Sequence, residues 1–303
     1  MTSKYLKIKI VVLLLLGFSI LDSVIAENVD SDYLSRLYTN PTGRIPASGV
    51  VNGAFGGAFA SQGGREFSGL ATAALGGVLE FGFYSSHIIT NILDDATPAS
   101  MIILKFSVFQ PKLESRLPHA MVALCSNNWT RIKGSGGDLT GPASINISIE
   151  GVELNAHLTS LYLSLTSVLS PFYSVHGGVV LHDLRTKDLN YVGATGEPGN
   201  MKETAVEVFG GVEHKMNETT HSIFEFGSKP KIKFSQDMHK LSVQYIWQII
   251  AGMRFFFVRY TALDVGVRYR DDYSGLADTE IMLGLNLGID VMEKIRKSRK
   301  RDK

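Results

Sequence analysis

Apolar and polar residues alternate with a period of two along much of this chain. The clearest stretch is Glu280 to Asp290. There Ile281, Leu283, Leu285, Leu287 and Ile289 are separated by Met282, Gly284, Asn286 and Gly288. A helix would place Ile281 and Leu283 about 200° apart, so no helical face could gather this set. The preceding stretch repeats the pattern, with Leu263, Val265, Val267 and Tyr269 set against Asp264, Gly266, Arg268 and Arg270. Between the two, Asp271-Asp272-Tyr273-Ser274-Gly275 is turn chemistry. Similar alternation occurs at Val51–Ala60 and around Glu80, Lys105, Tyr162, His176 and Glu207. Less regular candidates are 119–126, 222–226 and 241–257, with 144–154 as a further one.

About eleven such segments of roughly 8–12 residues approach the length of a tilted membrane strand. They follow one another without an intervening helical period, so antiparallel neighbours are expected rather than a parallel α/β sheet. The longest irregular stretches are read at 127–143, 185–201 and 227–240. The expected fold is all-β, a closed antiparallel transmembrane barrel of about 10–12 strands, because such barrels usually have an even strand number.

A soluble sandwich would alternate too. The barrel is favoured because the apolar face is the clean one, while the opposite face carries small, polar and charged residues of both signs. Those charges are Glu80, Glu207, Glu225, Asp264 and Glu280 against Lys105, Arg254, Arg268 and Arg270. In a membrane barrel the apolar face meets lipid and the polar face meets the lumen, and closure satisfies every strand's hydrogen bonds. Glu80, Lys105, Glu207, Glu225, Arg254, Asp264, Arg268 and Glu280 are therefore the lumen-lining candidates. Opposite charges can pair across a narrow lumen and fill it. In a wider lumen they line water and bias passage by sign. Near-equal numbers favour the paired, plugged arrangement.

The N-terminus sets the cellular route. Lys4, Lys7 and Lys9 form a positive n-region at the start of the apolar run Ile8–Ile20, and Val24 and Ala26 sit at the −3 and −1 positions of a small-residue cleavage site. This reads as a secretory signal peptide over 1–26, too short in its apolar core to span a bilayer. The remaining chain divides into a lead-in at 27–48, a barrel domain at 49–290 and a basic tail at 291–303.

Composition agrees with many short strands: 30 glycines and 10% aromatic residues. The aromatics near 81–84, 172–173, 247 and 255–260 suit interfacial girdles. The single cysteine, Cys125, excludes an intrachain disulfide and a four-cysteine zinc site. The chain carries +1 overall and −1 without the signal; the last ten residues hold +6, leaving the body at about −7. Nucleic acid is not an expected partner. Expected partners are outer-membrane lipid and small polar solutes, with the tail available to anionic head groups or a periplasmic protein.

The export signal and the two final alternating segments, 259–270 and 279–290, resemble outer-membrane β-barrel proteins of Gram-negative bacteria. The run Asn40-Pro41-Thr42-Gly43-Arg44-Ile45-Pro46 before a Gly-rich strand is similar to the lead-in of some barrels linked with exopolysaccharide export. The resemblance implies an outer-membrane location and a passive or structural role. One departure is the end of the chain. Such barrels commonly finish on an aromatic residue read by the assembly machinery, whereas Ile289-Asp290 here runs on into Val291–Lys303.

No nucleophile elbow, phosphate loop or H-E-x-x-H zinc helix is present, and no cofactor is expected. His176 and His182 fall on one strand face about 20 Å apart, too far to share a metal. Ser164 and Ser174 beside His176 sustain the alternative of a barrel-embedded lipid hydrolase. Asp94-Asp95 and Asp271-Asp272 read as turn acids before calcium ligands. The expected function is a small outer-membrane pore or structural barrel that is not an enzyme. The alternative from another class is a soluble secreted or periplasmic β-protein that binds a partner.

Overall fold

The computed structural model describes residues 33–59, 65–86, 100–111, 117–135, 146–148, 150–191, 200–235, 240–273, 275, 278–292 and 295. The signal peptide, the Asp94-Asp95 pair and almost all of the basic tail lie outside the described residues.

Fourteen strands follow in chain order: β1 Val50–Phe59, β2 Arg65–Leu75, β3 Leu79–Ser86, β4 Ser100–Phe109, β5 His119–Asn127, β6 Thr130–Ser135, β7 Asn146–Ser148, β8 Glu150–Ser170, β9 Tyr173–Tyr191, β10 Met201–Lys215, β11 Thr220–Ser235, β12 Lys240–Val258, β13 Thr261–Arg270 and β14 Glu280–Asp290. Twelve of them form the ring. β6 continues β5 along β8, and β7 is a short parallel addition to β11. Chain neighbours pair antiparallel around the circuit. β10 meets β11, and β1 meets β14 from Val50↔Asp290 to Phe59↔Ile281, so no edge is left open. This is the closed antiparallel barrel anticipated from the alternation, at the upper end of the expected strand count. Lipid demands such closure, because no water is available to satisfy an open edge.

The two faces separate by composition. Outward side chains form an apolar belt that includes Phe83 (64% exposed), Leu163, Val179, Trp247 and Leu283 (43% exposed). Their chain neighbours Glu80, Ser164, Val180, His182 and Glu280 point inward and are buried. A soluble fold would bury the apolar set; a barrel in a bilayer exposes it. The aromatic residues divide in the same way. Phe81, Phe83, Phe172 and Tyr173 face outward, whereas Tyr84 and Phe256 are buried inside.

The connections define two ends. One end holds 76–78, 110–118, 171–172, 216–219 and 259–260, together with the start of β1 and the finish of β14. At its β2–β3 turn Gly76 and Gly77 both adopt positive φ, a conformation that side chains other than glycine resist. The opposite end holds the connections at 60–64, 87–99, 136–149, 192–200, 236–239 and 271–279. We call these the turn end and the loop end.

One expectation is corrected. The stretches 127–143, 185–201 and 227–240, expected to be irregular, have β6, β9 and β11 running through much of them. Their strict alternation fails because Lys229, Pro230 and Lys231, or Asp183 and Arg185, interrupt the apolar period while the backbone stays paired to its neighbours. The segment 241–257 lies in one long strand, β12, with a register shift against β13 between Phe256 and Val258.

Candidate functional site

The interior of the barrel is occupied by the chain's own N-terminal segment. Residues 33–48 enter at the turn end, reverse at Leu37–Asn40 and return to the turn end before β1. Leu37 N–H donates to Asn40 O, Thr42 N–H donates to Ser35 O, and Arg36 and Pro41 bridge. The result is a re-entrant hairpin with Tyr33, Ser35, Leu37, Tyr38, Asn40 and Thr42 buried.

The wall is contoured to the hairpin. Three of its large apolar side chains rest against inward-facing glycines. The ring of Tyr33 covers Gly288, the Leu37 side chain covers Gly211, and Tyr38 lies over the paired glycines Gly252 and Gly266 of β12 and β13. A Cβ on Gly252 would fall 2.5 Å from the Tyr38 hydroxyl oxygen, and one on Gly211 would fall 2.5 Å from Leu37 Cδ1. In the other direction, the hairpin's Gly43 passes so close to β5 and β8 that a side chain there would strike the backbone oxygen of His119. Close-packed interiors tolerate little added volume, so these glycines act as sockets.

Polar contacts complete the docking. Glu225 on β11 accepts from the main-chain N–H groups of Tyr38 and Thr39, from Thr39 Oγ1 at 2.7 Å and from Asn40 Nδ2 at 3.3 Å. Successive backbone N–H groups aimed at one carboxylate make an anion nest, here filled by the wall. Lys105 donates to Ser35 Oγ (2.7 Å), which donates to Glu80 Oε1 (3.0 Å). Arg254 donates to the carbonyls of Arg36 and Leu37, and the Tyr38 hydroxyl proton lies between the carbonyls of Met253 and Val265. Arg36 donates to Asn286 Oδ1 at 2.7 Å. On the return leg, Ser164 Oγ donates to Pro41 O and Gly43 N–H donates to Thr166 Oγ1.

All eight charged candidates from the sequence face inward and are buried. They are brought together in pairs: Glu80 with Lys105, Arg254 with Asp264, Arg268 with Glu280, and Glu207 with Lys229. Glu225 is held by the hairpin instead. Three of the pairs are also direct cross-strand partners in the sheet: Glu80↔Lys105, Arg254↔Asp264 and Arg268↔Glu280. Sequence reasoning missed Lys229, Glu213 and His221. Lys229 precedes Pro230, where no clean apolar alternation marks the inward face, whereas Glu213 stands in the same alternation as Glu207, through Val208 and Val212.

Two hydroxyl–imidazole–carboxylate sets lie on β8, β9 and β10, offset by six residues on every strand. In one, Ser160 Oγ is 2.9 Å from His182 Nδ1, and His182 Nε2 is 3.2 Å from Glu207. In the other, Thr166 Oγ1 is 2.8 Å from His176 Nδ1, and His176 Nε2 is 3.8 Å from Glu213, which also meets His221 Nδ1 at 2.8 Å. The hydroxyls singled out from sequence are corrected: the partner of His176 is Thr166, while Ser164 holds Pro41 and Ser174 lies 3.5 Å from Arg44. Ser160 and Thr166 are fully buried, and Thr166 is engaged by Gly43, so the sets fasten wall and hairpin rather than face a substrate. Nucleophilic catalysis needs a site within about 3 Å of the hydroxyl where a reacting atom can sit.

The other side of the lumen is apolar. Tyr84, Met101, Ile103, Met121, Ala123, Leu158, Leu184 and Phe209 form one buried cluster. Cys125 belongs to it, with its Sγ 3.7 Å from Met101 Sδ. At the loop end, Asp272 accepts from Arg270 (2.9 and 2.8 Å) and from Lys231 (3.0 Å). Burial alone would raise the Asp272 carboxyl, but these two cations outweigh it and hold it below its ordinary value.

No protein-family profile and no curated protein matches the chain. Among solved structures it is similar to the NanC porin at 10% identity and a TM-score of 0.47, covering 79% of this chain and 100% of that one. It is also similar to the KdgM porin at 8% identity and a TM-score of 0.46, covering 78% and 98%. A third is the translocator domain of the autotransporter NalP from Neisseria meningitidis, at 10% identity and a TM-score of 0.46, covering 79% and 86%.

Proposed function

We propose that this chain is an outer-membrane barrel pore held shut at rest by its own N-terminal hairpin. The observation that carries the reading is the docking of residues 33–48 inside a lumen shaped to receive them, with Tyr33, Leu37 and Tyr38 on glycine sockets. The outward apolar belt supplies the lipid contact. In bacterial barrels short turns face the periplasm and longer loops face outward, so the turn end and both chain termini lie in the periplasm. The hairpin then closes the pore from the periplasmic side, where a partner could withdraw it. The charge of the basic tail from Lys294 onward suits anionic head groups or such a partner.

Small polar solutes are the class this reading admits, entering along the charged wall of β10 to β14. The likeness of 40–46 to the lead-in of exopolysaccharide-export barrels falls on the returning leg of the plug. It extends the reading to an extended polar chain as cargo.

The test is paired. Heat-dependent gel mobility of the detergent-extracted, carbonate-resistant protein establishes the closed barrel. Planar-bilayer recording then compares the full chain with a variant lacking residues 33–44. A silent full chain and a conducting variant support the plugged pore. A second reading, a permanently filled structural barrel, is favoured by the buried apolar cluster around Met101 and Met121. A variant that keeps its heat shift yet never conducts would establish that reading instead.

A further inference from the structure

The hairpin is also the electrostatic complement of the wall. Between its two mouths the described inward-facing wall carries six carboxylates, Glu80, Glu207, Glu213, Glu225, Asp264 and Glu280, against four cations, Lys105, Lys229, Arg254 and Arg268. The inward charges at the mouths cancel, Glu203 and Asp272 against Lys231 and Arg270 at the loop end and Asp290 against Lys215 at the turn end. The hairpin from Tyr33 to Gly49 has Arg36 and Arg44 and no acid at all. With the hairpin docked, the lumen is balanced.

The two surplus carboxylates are identifiable. Each of these four cations is matched within the wall: Lys105 to Glu80, Lys229 to Glu207, Arg254 to Asp264 and Arg268 to Glu280. Glu225 takes its hydrogen bonds from Tyr38, Thr39 and Asn40, all on the hairpin tip. Glu213 is met by His221 and His176, imidazoles that carry no charge when neutral. Removing the hairpin therefore strips Glu225 of its donors and takes the positive charges of Arg36 and Arg44 out of the lumen.

We infer that the opened lumen passes cations in preference to anions, with Glu225 and Glu213 as the residues that set the sign. This rests on the plugged-pore reading. Fixed charges of one sign in a low-dielectric channel concentrate the counter-ion and repel the co-ion, and salt weakens the effect.

The experiment measures the reversal potential in a KCl gradient across planar bilayers at neutral pH. Two opened forms are used, so that misfolding of one leaves the other. One lacks residues 33–44. The other keeps the full length with Tyr38→Pro and Thr39→Pro, which removes the two N–H donors to Glu225. The expected result is a reversal potential shifted toward the potassium equilibrium value, with the shift reduced by Glu225→Gln, reduced further by adding Glu213→Gln, and weakened at molar salt. Conductance without ion preference, or with preference for chloride, overturns the cation assignment and leaves the plugged pore standing. Silence of both opened forms, each with its heat shift intact, overturns the pore reading and the selectivity with it.

Discussion

Leu283 shows what a single position must satisfy in this barrel. Its side chain points outward from β14 and is 43% exposed, in a strand whose inward neighbours include Gly284 and Met282. Water would tolerate lysine there; a bilayer would not. Leu283→Lys is expected to cost about 2–4 kcal/mol of folding free energy if the residue lies near the membrane midplane. Urea unfolding of the barrel refolded into lipid vesicles measures it, and a cost near zero would favour a soluble fold. The opposite case is Arg254, 2% exposed and bonded to Asp264 at 2.6 and 3.0 Å. Asp264→Ala leaves that guanidinium buried without its carboxylate and is expected to cost about 3–5 kcal/mol. The double variant Arg254→Met, Asp264→Leu should lose less in the same titration, because it strands no charge, although it also gives up the bonds to Arg36 and Leu37.

Among the elements, the strands were legible from sequence and the hairpin was not, for a physical reason. A strand with lipid on one side and lumen on the other repeats every two residues, so Ile281 to Ile289 announces its own geometry. The hairpin has no such constraint. Its side chains each meet a different wall element, and Pro41, Gly43 and Pro46 read simply as loop residues. The inward glycines gave no warning either, since glycine in a strand marks a close approach without naming what approaches. The socket at Gly288 offers the most direct check on the hairpin, because the nearest atom a side chain there would meet belongs to the Tyr33 ring. Gly288→Val should displace Tyr33 while leaving the outward face untouched. Trypsin added to the folded barrel should then cut after Arg36 and Arg44, which the parent chain protects. Continued protection would mean that the socket does not position the hairpin. The turn between β13 and β14 carries a separate expectation. Asp272 is held below its ordinary value, so its contribution is fully present above the unfolded carboxyl value of 3.8 and is lost as pH falls through the lower folded one. The pair is partly exposed, so the effect is under about 1 kcal/mol. Asp272→Asn should lower stability at neutrality by that small amount, flatten its fall through the acidic window and cost little below it.

At the scale of the whole ring, closure requires every neighbour to adopt the right register, because a one-residue slip anywhere turns lipid-facing leucines into the lumen. The buried ion pairs are placed where they can enforce this. Arg254 opposes Asp264 across the turn at 259–260, and Arg268 opposes Glu280 across the connection at 271–279. Arg254 and Asp264 stand five residues either side of Arg259 in the tight turn, so that pair could have been read from sequence, whereas the longer connection at 271–279 leaves the register of Arg268 and Glu280 open. Glu207 with Lys229 could not, since the turn at 216–219 is flanked by Glu213, Lys215 and Glu218, which offer competing partners. If the pairs specify register through complementarity rather than through a particular sign, exchanging them should be tolerated. Arg268→Glu with Glu280→Arg should recover most of the heat-modifiable barrel, whereas either reversal alone opposes two like charges in a buried position and should assemble poorly. The yield of heat-shifted protein on refolding into vesicles compares the three. Equal recovery of the single reversals would mean that the apolar belt alone sets the register and that the ion pairs serve only to fill the lumen. Failure of the exchanged pair alongside the single reversals would mean instead that the surroundings of Arg268 fix its sign, with the neighbouring Tyr273 and Arg270 at the loop end as the first groups to vary.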